Sequence, residues 1–232
     1  HKLRASLTVL GLTMGVATLI TVMTLVQGAN LYVEQKIANL GTNVFKIART
    51  PFTVTDFNAV IKALKNKRLE MGDMRAVAAA CSSCELVGAS VSSTARVRYQ
   101  DRELADITIY GYTANMADID TRTLELGRYF THAEDERGIN VAILGDFLIQ
   151  QFFPGQDPLG RIIRIAKEEF LVVGTFEKIG SVLGQEQDNF AVIPMGAYFR
   201  LRGGRVAITV NAKAVEGERI FERAIDQARL AM

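Results

Sequence analysis

The sequence predicts an α+β protein that begins with one membrane-spanning helix. Residues 7–26 carry no charge, and after them short strand patterns alternate with helical patterns. At about 1.5 Å per residue, a helix of twenty residues spans the roughly 30 Å hydrocarbon core of a bilayer. Backbone groups inside lipid must be satisfied within the segment, so residues 7–26 are predicted to be helical.

Two other interpretations of this apolar segment are less favourable. A signal peptide usually has an apolar stretch of about 7–15 residues followed by a small-residue cleavage site. Here the run is longer and passes into residues 27–30, Gln-Gly-Ala-Asn, without such a site. A buried core helix is seldom apolar on every side over this length. The positive-inside rule then places Lys2 and Arg4 in the cytoplasm and the remaining chain across the membrane.

The membrane helix carries a possible contact motif and is predicted to extend beyond the bilayer. Gly11 and Gly15 form a G-x-x-x-G pair, which can let two helices approach closely but is also common by chance, and they are the candidate helix-packing residues. Past the membrane, Val33, Ile37 and Leu40 have the spacing of one helix face. We expect a stalk helix there, either a rod that carries motion or a helix packed on its own domain.

Apolar spacing predicts the elements of the first half of the chain. Residues 44–48 form a strand pattern, and Thr55 is a helix N-cap before apolar residues at helical spacing. Residues 75–80 are apolar enough for a second strand. Residues 92–99 and 103–111 alternate in polarity on either side of Gln-Asp-Arg, which predicts a β-hairpin. The apolar positions of the Thr55 helix are Phe57, Val60, Ile61 and Leu64.

The second half of the chain is predicted in the same way. Thr131 and Glu134 have the spacing of a capping box. The order of the elements indicates two lobes, the second inserted before a closing strand and helix. The predicted elements are a buried strand at 141–144, a helix at 147–153, a hairpin of 161–165 with 170–176, strands at 191–194 and 206–210, and a final helix containing Phe221, Ile225, Ala228 and Met232.

The residue types that carry most enzyme chemistry are scarce. The only two cysteines, Cys81 and Cys84, form C-S-S-C without a second pair, so a metal site is not expected. We predict a short local disulfide, with free thiols or thioredoxin-like catalysis as alternatives. His132 is the only internal histidine, and its acidic neighbours suit a helix start, so no catalytic triad is expected. The chain lacks a G-x-x-x-x-G-K-[ST] nucleotide loop, and no cofactor is predicted.

Two further features bear on partners. The net charge is only +2, and Lys2 and Arg4 account for it, so no nucleic-acid partner is expected. The polar stretch at 180–189 predicts either an exposed flexible loop or a contact with a partner protein or another subunit. Its candidate contact residues are Gly184, Gln185, Glu186, Gln187 and Asp188.

Several segments together resemble the MacB-type ABC transporter permeases. KLRASLTVLGLTMGVATL and NLGTNVFKI are similar to the first transmembrane helix and the entry strand of that family. Other matching segments follow in the family's order over nearly the whole chain, whereas the C-S-S-C pair is not part of the pattern. They are IYGYT, LELGRYF, THAEDERGINVAILG, FFPGQDPLGRIIRI, FLVVGTFEKIG and GQEQDNFAVIP.

The resemblance implies a membrane helix and stalk at residues 1–43, a porter-like lobe at 44–111 plus 205–232, and an inserted lobe at 112–204. It implies a non-catalytic permease fragment in the bacterial inner membrane, with most of the chain in the periplasm. ATP hydrolysis by a partner subunit or domain would drive its conformational change during efflux or the export of peptides or lipoproteins. Implied partners are an ABC ATPase, a second permease chain, a periplasmic adaptor and the membrane.

Two functional alternatives remain open from the sequence. One is a regulatory module of the FtsX kind, which controls a periplasmic hydrolase, because FtsX-type and lipoprotein-release permeases are relatives of this family. The other is a membrane-anchored ligand-binding domain. A complete permease of this type has further membrane helices, so we expect the chain from His1 to Met232 to be a fragment of a longer subunit.

The orientation in the membrane follows from the two N-terminal cations. A reporter enzyme that is active only in the periplasm, fused after Met232, is expected to be active, whereas a reporter that requires the cytoplasm is expected to be silent. Replacing both Lys2 and Arg4 with glutamate removes the orientation signal and is expected to give mixed activity. Activity of the cytoplasmic reporter alone in the unaltered chain would contradict the predicted topology.

Overall fold

A computed structural model describes residues 2–32, 43–50, 61, 63, 66–182, 185–204 and 206–231, in two units, His1–Asn39 and Leu40–Met232. The first unit contains helix α1, Lys2–Tyr32. Its segment Leu10–Gly28 is long and apolar enough to cross a membrane, which confirms the predicted apolar helix. The predicted stalk positions Val33, Ile37 and Leu40 lie outside the described residues.

The apolar helix contains threonines whose hydroxyl groups are satisfied within the helix. Thr18, Thr21 and Thr24 each donate to the carbonyl four residues earlier, at 2.7–2.8 Å. An unpaired hydroxyl in hydrocarbon would cost free energy, so these bonds make the polar side chains compatible with a membrane. The large apolar side chains between Leu10 and Val26 are exposed, as expected for a segment that faces lipid.

The second unit combines short helices with one large mixed sheet, which agrees with the predicted α+β class. The strands and helices follow in chain order. They are β1 Val44–Ile47, α2 Met71–Ala80, β2 Cys84–Tyr99, β3 Arg102–Tyr112, a 3-10 helix Ala114–Ala117, β4 Leu124–Gly127, α3 His132–Glu136, β5 Val141–Leu144, α4 Asp146–Phe152, β6 Ile162–Ile165, β7 Glu168–Phe176, β8 Ser181–Val182, β9 Gln185–Glu186, β10 Phe190–Pro194, α5 Met195–Arg202, β11 Thr209–Ala214 and α6 Glu218–Leu230.

Nine of these strands form a sheet with the order β1-β11-β2-β3-β10-β5-β7-β4, and β6 pairs with both β2 and β7. The pairs β3–β10 and β5–β7 are parallel, and the other pairs are antiparallel. The hairpins predicted around residue 100 and between β6 and β7 are confirmed. The sheet continues across the predicted lobe boundary at residue 112, because β10 pairs with β3. The division into two lobes stays a prediction.

The central strands β5 and β10 are buried on both faces of the sheet. Along β10, Ala191 and Ile193 belong to one hydrophobic cluster, whereas Phe190 and Val192 belong to the other. Helices α2, α4, α5 and α6 contribute to the first cluster, and the 3-10 helix contributes to the second. A strand that packs on both faces needs a nearly continuous apolar sequence, which explains the four consecutive buried residues of β5.

The strand predicted at residues 75–80 is wrong, because this segment belongs to α2. The Asp73 carboxylate accepts a hydrogen bond from the Glu70 backbone N–H (2.8 Å) at the start of this helix. Alanine has the highest helix propensity, and four of the last five residues of α2 are alanine. One side of the helix packs on the sheet through Val77, so the segment is apolar without forming a strand.

The closing strand also differs from its prediction at residues 206–210, since β11 begins at Thr209 and ends at Ala214. Its register is fixed by both neighbours: Asn211 lies opposite Lys46 of β1 and Gly88 of β2. These long-range pairings determine where hydrogen bonding begins. The helix predicted after Thr55 lies outside the described residues, apart from two helical positions at 61 and 63.

The predicted capping box at the start of α3 is confirmed and is held by an arginine. Thr131 Oγ1 accepts from the Glu134 N–H, and Glu134 Oε2 accepts from the Thr131 N–H. The Arg128 guanidinium donates to both oxygens of Glu134, at 2.7 and 2.8 Å. Before Arg128, Gly127 has φ +78°, and a Cβ there would lie 2.2 Å from the Val173 carbonyl oxygen. The Arg128–Glu134 pair therefore joins two segments, LELGRYF and THAEDE, into one structural motif.

The charge of Glu134 contributes to stability above a definite pH. The Arg128 hydrogen bonds lower the pKa of Glu134 from 4.5 to about 2, so its contribution is present above pH 4.5 and is lost as the pH falls through about 2. We expect Glu134→Gln to lower the urea midpoint at pH 7 and to lower it less at pH 3. Glu136→Gln, at an exposed position of α3, is the matched control. An equal effect of Glu134→Gln at both pH values would contradict this assignment.

Candidate functional site

The C-S-S-C segment connects α2 to β2 and lies against α6. Cys81 and Cys84 are joined by a disulfide, and Cys81 is buried. The Ser83 N–H donates to the Gln227 side-chain oxygen (3.1 Å), and the Gln227 amide donates to Ser82 Oγ (3.1 Å). The loop is therefore held both by the disulfide and by α6. This arrangement fits a local structural link. That the pair is oxidised in the cell stays a prediction.

The polar stretch at 180–189 contains a small β-hairpin, formed by β8 and β9. Its base is closed by Asp188, which is 1% exposed and accepts hydrogen bonds from the Ile179 N–H (2.9 Å) and the Gly180 N–H (2.7 Å). Glu186 is exposed. Asp188 thus positions the hairpin, whereas Glu186 remains available for contact with a partner. Gly184 lies outside the described residues.

The other predicted positions carry little chemistry. Beside Gly11 and Gly15 the space is open, so a second helix could approach both glycines. His132 is exposed at the first position of α3. Within the described ranges, no group of three or more His, Cys, Asp and Glu side chains could hold a metal ion.

The most unusual polar group in the described residues was missed by the sequence analysis. The Asp120–Arg122 ion pair is almost completely buried, with each side chain 6% exposed. Arg122 Nε lies 2.9 and 3.1 Å from the two Asp120 carboxylate oxygens, and Nη2 donates to the Tyr112 hydroxyl. Four aromatic rings surround the guanidinium. Their centroids lie at 4.5 Å for Phe190, 5.1 Å for Phe176, 5.2 Å for Tyr110 and 5.4 Å for Tyr112.

This aromatic cage keeps Arg122 charged although it is buried. Burial lowers the pKa of Arg122, but Tyr112 and Asp120 raise it more, and the net shift is upward. Burial also raises the pKa of Tyr112 and of Tyr129. The Tyr129 hydroxyl is buried and has no hydrogen-bond partner among the described residues. The cage is filled by its own arginine, so it links a loop to three strands and leaves no room for a ligand.

One sequence signal indicates half of the cage. Asp120 and Arg122 are separated by one residue, and Tyr110 and Tyr112 have the same spacing on β3, which places both tyrosines on one face. Phe176 and Phe190 lie on β7 and β10, far from these residues in sequence. Their approach depends on strand order, which local patterns do not encode.

The class of protein that this geometry defines is a mixed α/β domain preceded in the chain by a helix that is long and apolar enough to cross a membrane. The family model of the MacB-like periplasmic core domain matches residues 5–228, and the chain belongs to this family. The chain is 28% identical over 216 residues to a macrolide export ATP-binding/permease protein MacB of Syntrophobacter fumaroxidans, covering 92% of this chain and 30% of that protein. The MacB of Rhodopirellula baltica is 30% identical over 206 residues, covering 87% and 29%. The chain thus spans about three tenths of these relatives.

Two solved structures have the same fold. The periplasmic region of MacB from Actinobacillus actinomycetemcomitans gives a TM-score of 0.65 at 18% identity, covering 82% of this chain and 84% of that one. The extracellular domain of the noncanonic ABC-type transporter YknZ from Gram-positive bacteria gives 0.63 at 19% identity, covering 82% and 92%. At these identities the likeness establishes the fold alone.

Removing the caged cation is expected to destabilise the domain strongly. Arg122→Met leaves the Asp120 carboxylate buried without its partner, which costs about 3–5 kcal/mol of unfolding free energy. Asp120→Asn combined with Arg122→Met is expected to recover a large part of this loss, because the buried charge is then absent. Urea unfolding of the two variants measures both effects. A single variant with wild-type stability would contradict the buried assignment.

Proposed function

We propose that this chain is a fragment of the permease subunit of an ABC-type export system. The observation that supports this most is the continuous family match over residues 5–228, which includes both the apolar helix and the mixed sheet. The relatives are named macrolide export ATP-binding/permease proteins, so their names combine an ATPase with a permease. In this proposal ATP is hydrolysed by a partner subunit or domain, and this chain has no catalytic role.

The proposed location is the bacterial inner membrane, with α1 in the bilayer and the mixed sheet in the periplasm. Lys2 and Arg4 support this orientation through the positive-inside rule. The proposed partners are an ABC ATPase, a second permease chain and a periplasmic adaptor. Gly11 and Gly15 are candidate contacts for the second chain, and Glu186 is a candidate contact for the adaptor.

The proposed mechanism requires a stiff connection between the bilayer and the domain. Nucleotide binding can change the conformation of the proposed periplasmic domain only if it favours one of two conformations of a connecting element. Coupling between two sites is a difference in free energy between such conformations. Helix α1 suits this role since it continues to Tyr32, past the end of the apolar segment at Gly28. The porter-like and inserted lobes, at residues 44–111 plus 205–232 and at 112–204, are the proposed moving parts.

The test interrupts α1 beyond its apolar segment. Asn30→Pro removes a backbone donor and clashes with the preceding turn, at a cost of about 3 kcal/mol in a helix interior. We expect the full-length protein with its ATPase to assemble and hydrolyse ATP, whereas export falls sharply. Asn30→Ala keeps the helix and is the matched control. Macrolide tolerance of an efflux-deficient bacterium is the first export assay, because the relatives are named for macrolides.

Three outcomes separate the alternatives. Normal export by Asn30→Pro would show that this part of α1 is a passive tether. An unaltered protein that gives no tolerance to macrolides but raises resistance to a peptide or toxin would keep the export proposal with another substrate. Altered cell-wall hydrolysis without any export would favour the FtsX-type regulatory function.

A further inference from the structure

Four charged residues form a row across four neighbouring strands of the sheet. In the strand register, Glu103 of β3 lies opposite Arg98 of β2, Arg98 lies opposite Arg164 of β6, and Arg164 lies opposite Glu169 of β7. The row therefore places two arginines side by side between two glutamates. All four residues are exposed, so they share the open part of one face.

The two arginines are not equivalent. Arg164 donates to Glu169 Oε1 at 2.8 Å, and Glu103 forms its ion pair with Arg96 at 3.6 Å. Arg98 donates through Nε to the Gln100 carbonyl oxygen at 2.8 Å, and it has no carboxylate partner among the described residues. Like charges directly opposite each other destabilise a sheet. The Arg98–Arg164 pair is therefore unfavourable in the free domain and becomes favourable when an anion lies between the guanidinium groups.

A cavity lies beside this pair. It has a volume of about 230 Å³, smaller than the roughly 300–1,000 Å³ of typical small-molecule sites, so it suits one side chain. An exposed apolar pair adjoins it, since Ile162 is 57% exposed and lies opposite Leu171, which is 42% exposed. The cavity is lined by Arg98, Gln100, Ile162, Ile163, Arg164 and Glu169.

The charges and the shape identify the ligand chemistry. Two guanidinium groups and one carboxylate line the cavity, which leaves one positive charge. A carboxylate carries one negative charge and can accept two parallel hydrogen bonds from a guanidinium. A phosphate would bring up to two negative charges close to Glu169. The apolar pair Ile162 and Leu171 favours a ligand in which the carboxylate has apolar neighbours.

We propose that Arg98 and Arg164 form a carboxylate-binding site for an acidic side chain in a peptide segment of a partner protein. The acidic side chain lies between the two guanidinium groups, and a neighbouring apolar side chain of the same segment packs on Ile162 and Leu171. This site is separate from the β8–β9 hairpin and the disulfide, and it does not depend on ATP-driven export.

The test measures peptide binding by isothermal titration calorimetry with the full-length protein in detergent micelles. The probes are acetyl-Leu-Glu-Leu-amide, the same peptide with Gln in place of Glu, sodium acetate and inorganic phosphate. We expect the Glu peptide to bind at least about tenfold more tightly than the Gln peptide and acetate. The Gln peptide lacks the charge-assisted hydrogen bonds between carboxylate and guanidinium, and acetate lacks the apolar neighbours. Tighter binding of phosphate than of the Glu peptide would overturn the choice of a carboxylate. Equal binding of the two peptides, or no binding at millimolar concentrations, would overturn the site.

Matched variants distinguish a binding site from a structural ion-pair row. Arg98→Gln is expected to weaken binding of the Glu peptide about tenfold and to raise the urea midpoint of the free protein, because it relieves like-charge repulsion. Arg96→Gln is the control, since Arg96 is exposed on the same strand but does not line the cavity. An equal loss of binding in both variants, or a lower urea midpoint for Arg98→Gln, would overturn the proposal.

Discussion

The length of strand β2 is the constraint on which the rest of the sheet depends, because its sixteen residues are enough to hydrogen-bond β11, β3 and β6. Its first part pairs with β11, its later part pairs with β3, and its end pairs with β6. The C-terminal strand β11 in turn pairs with β1, which follows the first unit. This strand therefore joins the β1–β11 side of the sheet to β3 and β6, and it carries the sheet into the segment proposed as an inserted lobe.

The two polar arrangements on this sheet have opposite energetic characters. The Asp120–Arg122 pair is enclosed by four aromatic rings, and its charges satisfy each other, so it can serve only to hold its loop on the sheet. The Arg98–Arg164 pair is exposed and places like charges together. A buried pair of opposite charges is satisfied without a ligand, whereas an exposed pair of like charges gains stability by binding one. This difference is why only the second pair is assigned to binding.

Sequence patterns were reliable where neighbours in the chain are also neighbours in space. Both hairpins, the capping box of α3 and the buried strand β5 were predicted correctly, because each depends on local turns, caps or apolar runs. Residues 75–80 were assigned to a strand because an alanine-rich apolar run does not distinguish a strand from a short helix. The cap formed by Glu70 and Asp73 decides for the helix.

The sequence alone determined the apolar helix, the α+β class and the family, since hydropathy, local periodicity and the order of motifs are properties of the linear chain. Tertiary structure decided the strand order, the parallel pairing of β3 with β10 and the register of β11. It also decided which side chains meet. Phe176 and Phe190 reach Arg122 from strands that are distant in sequence, and the Arg98–Arg164 pair exists only in one register of β2 and β6. Such contacts depend on long-range hydrogen-bond pairing, and a shift of one residue would turn each side chain to the other face.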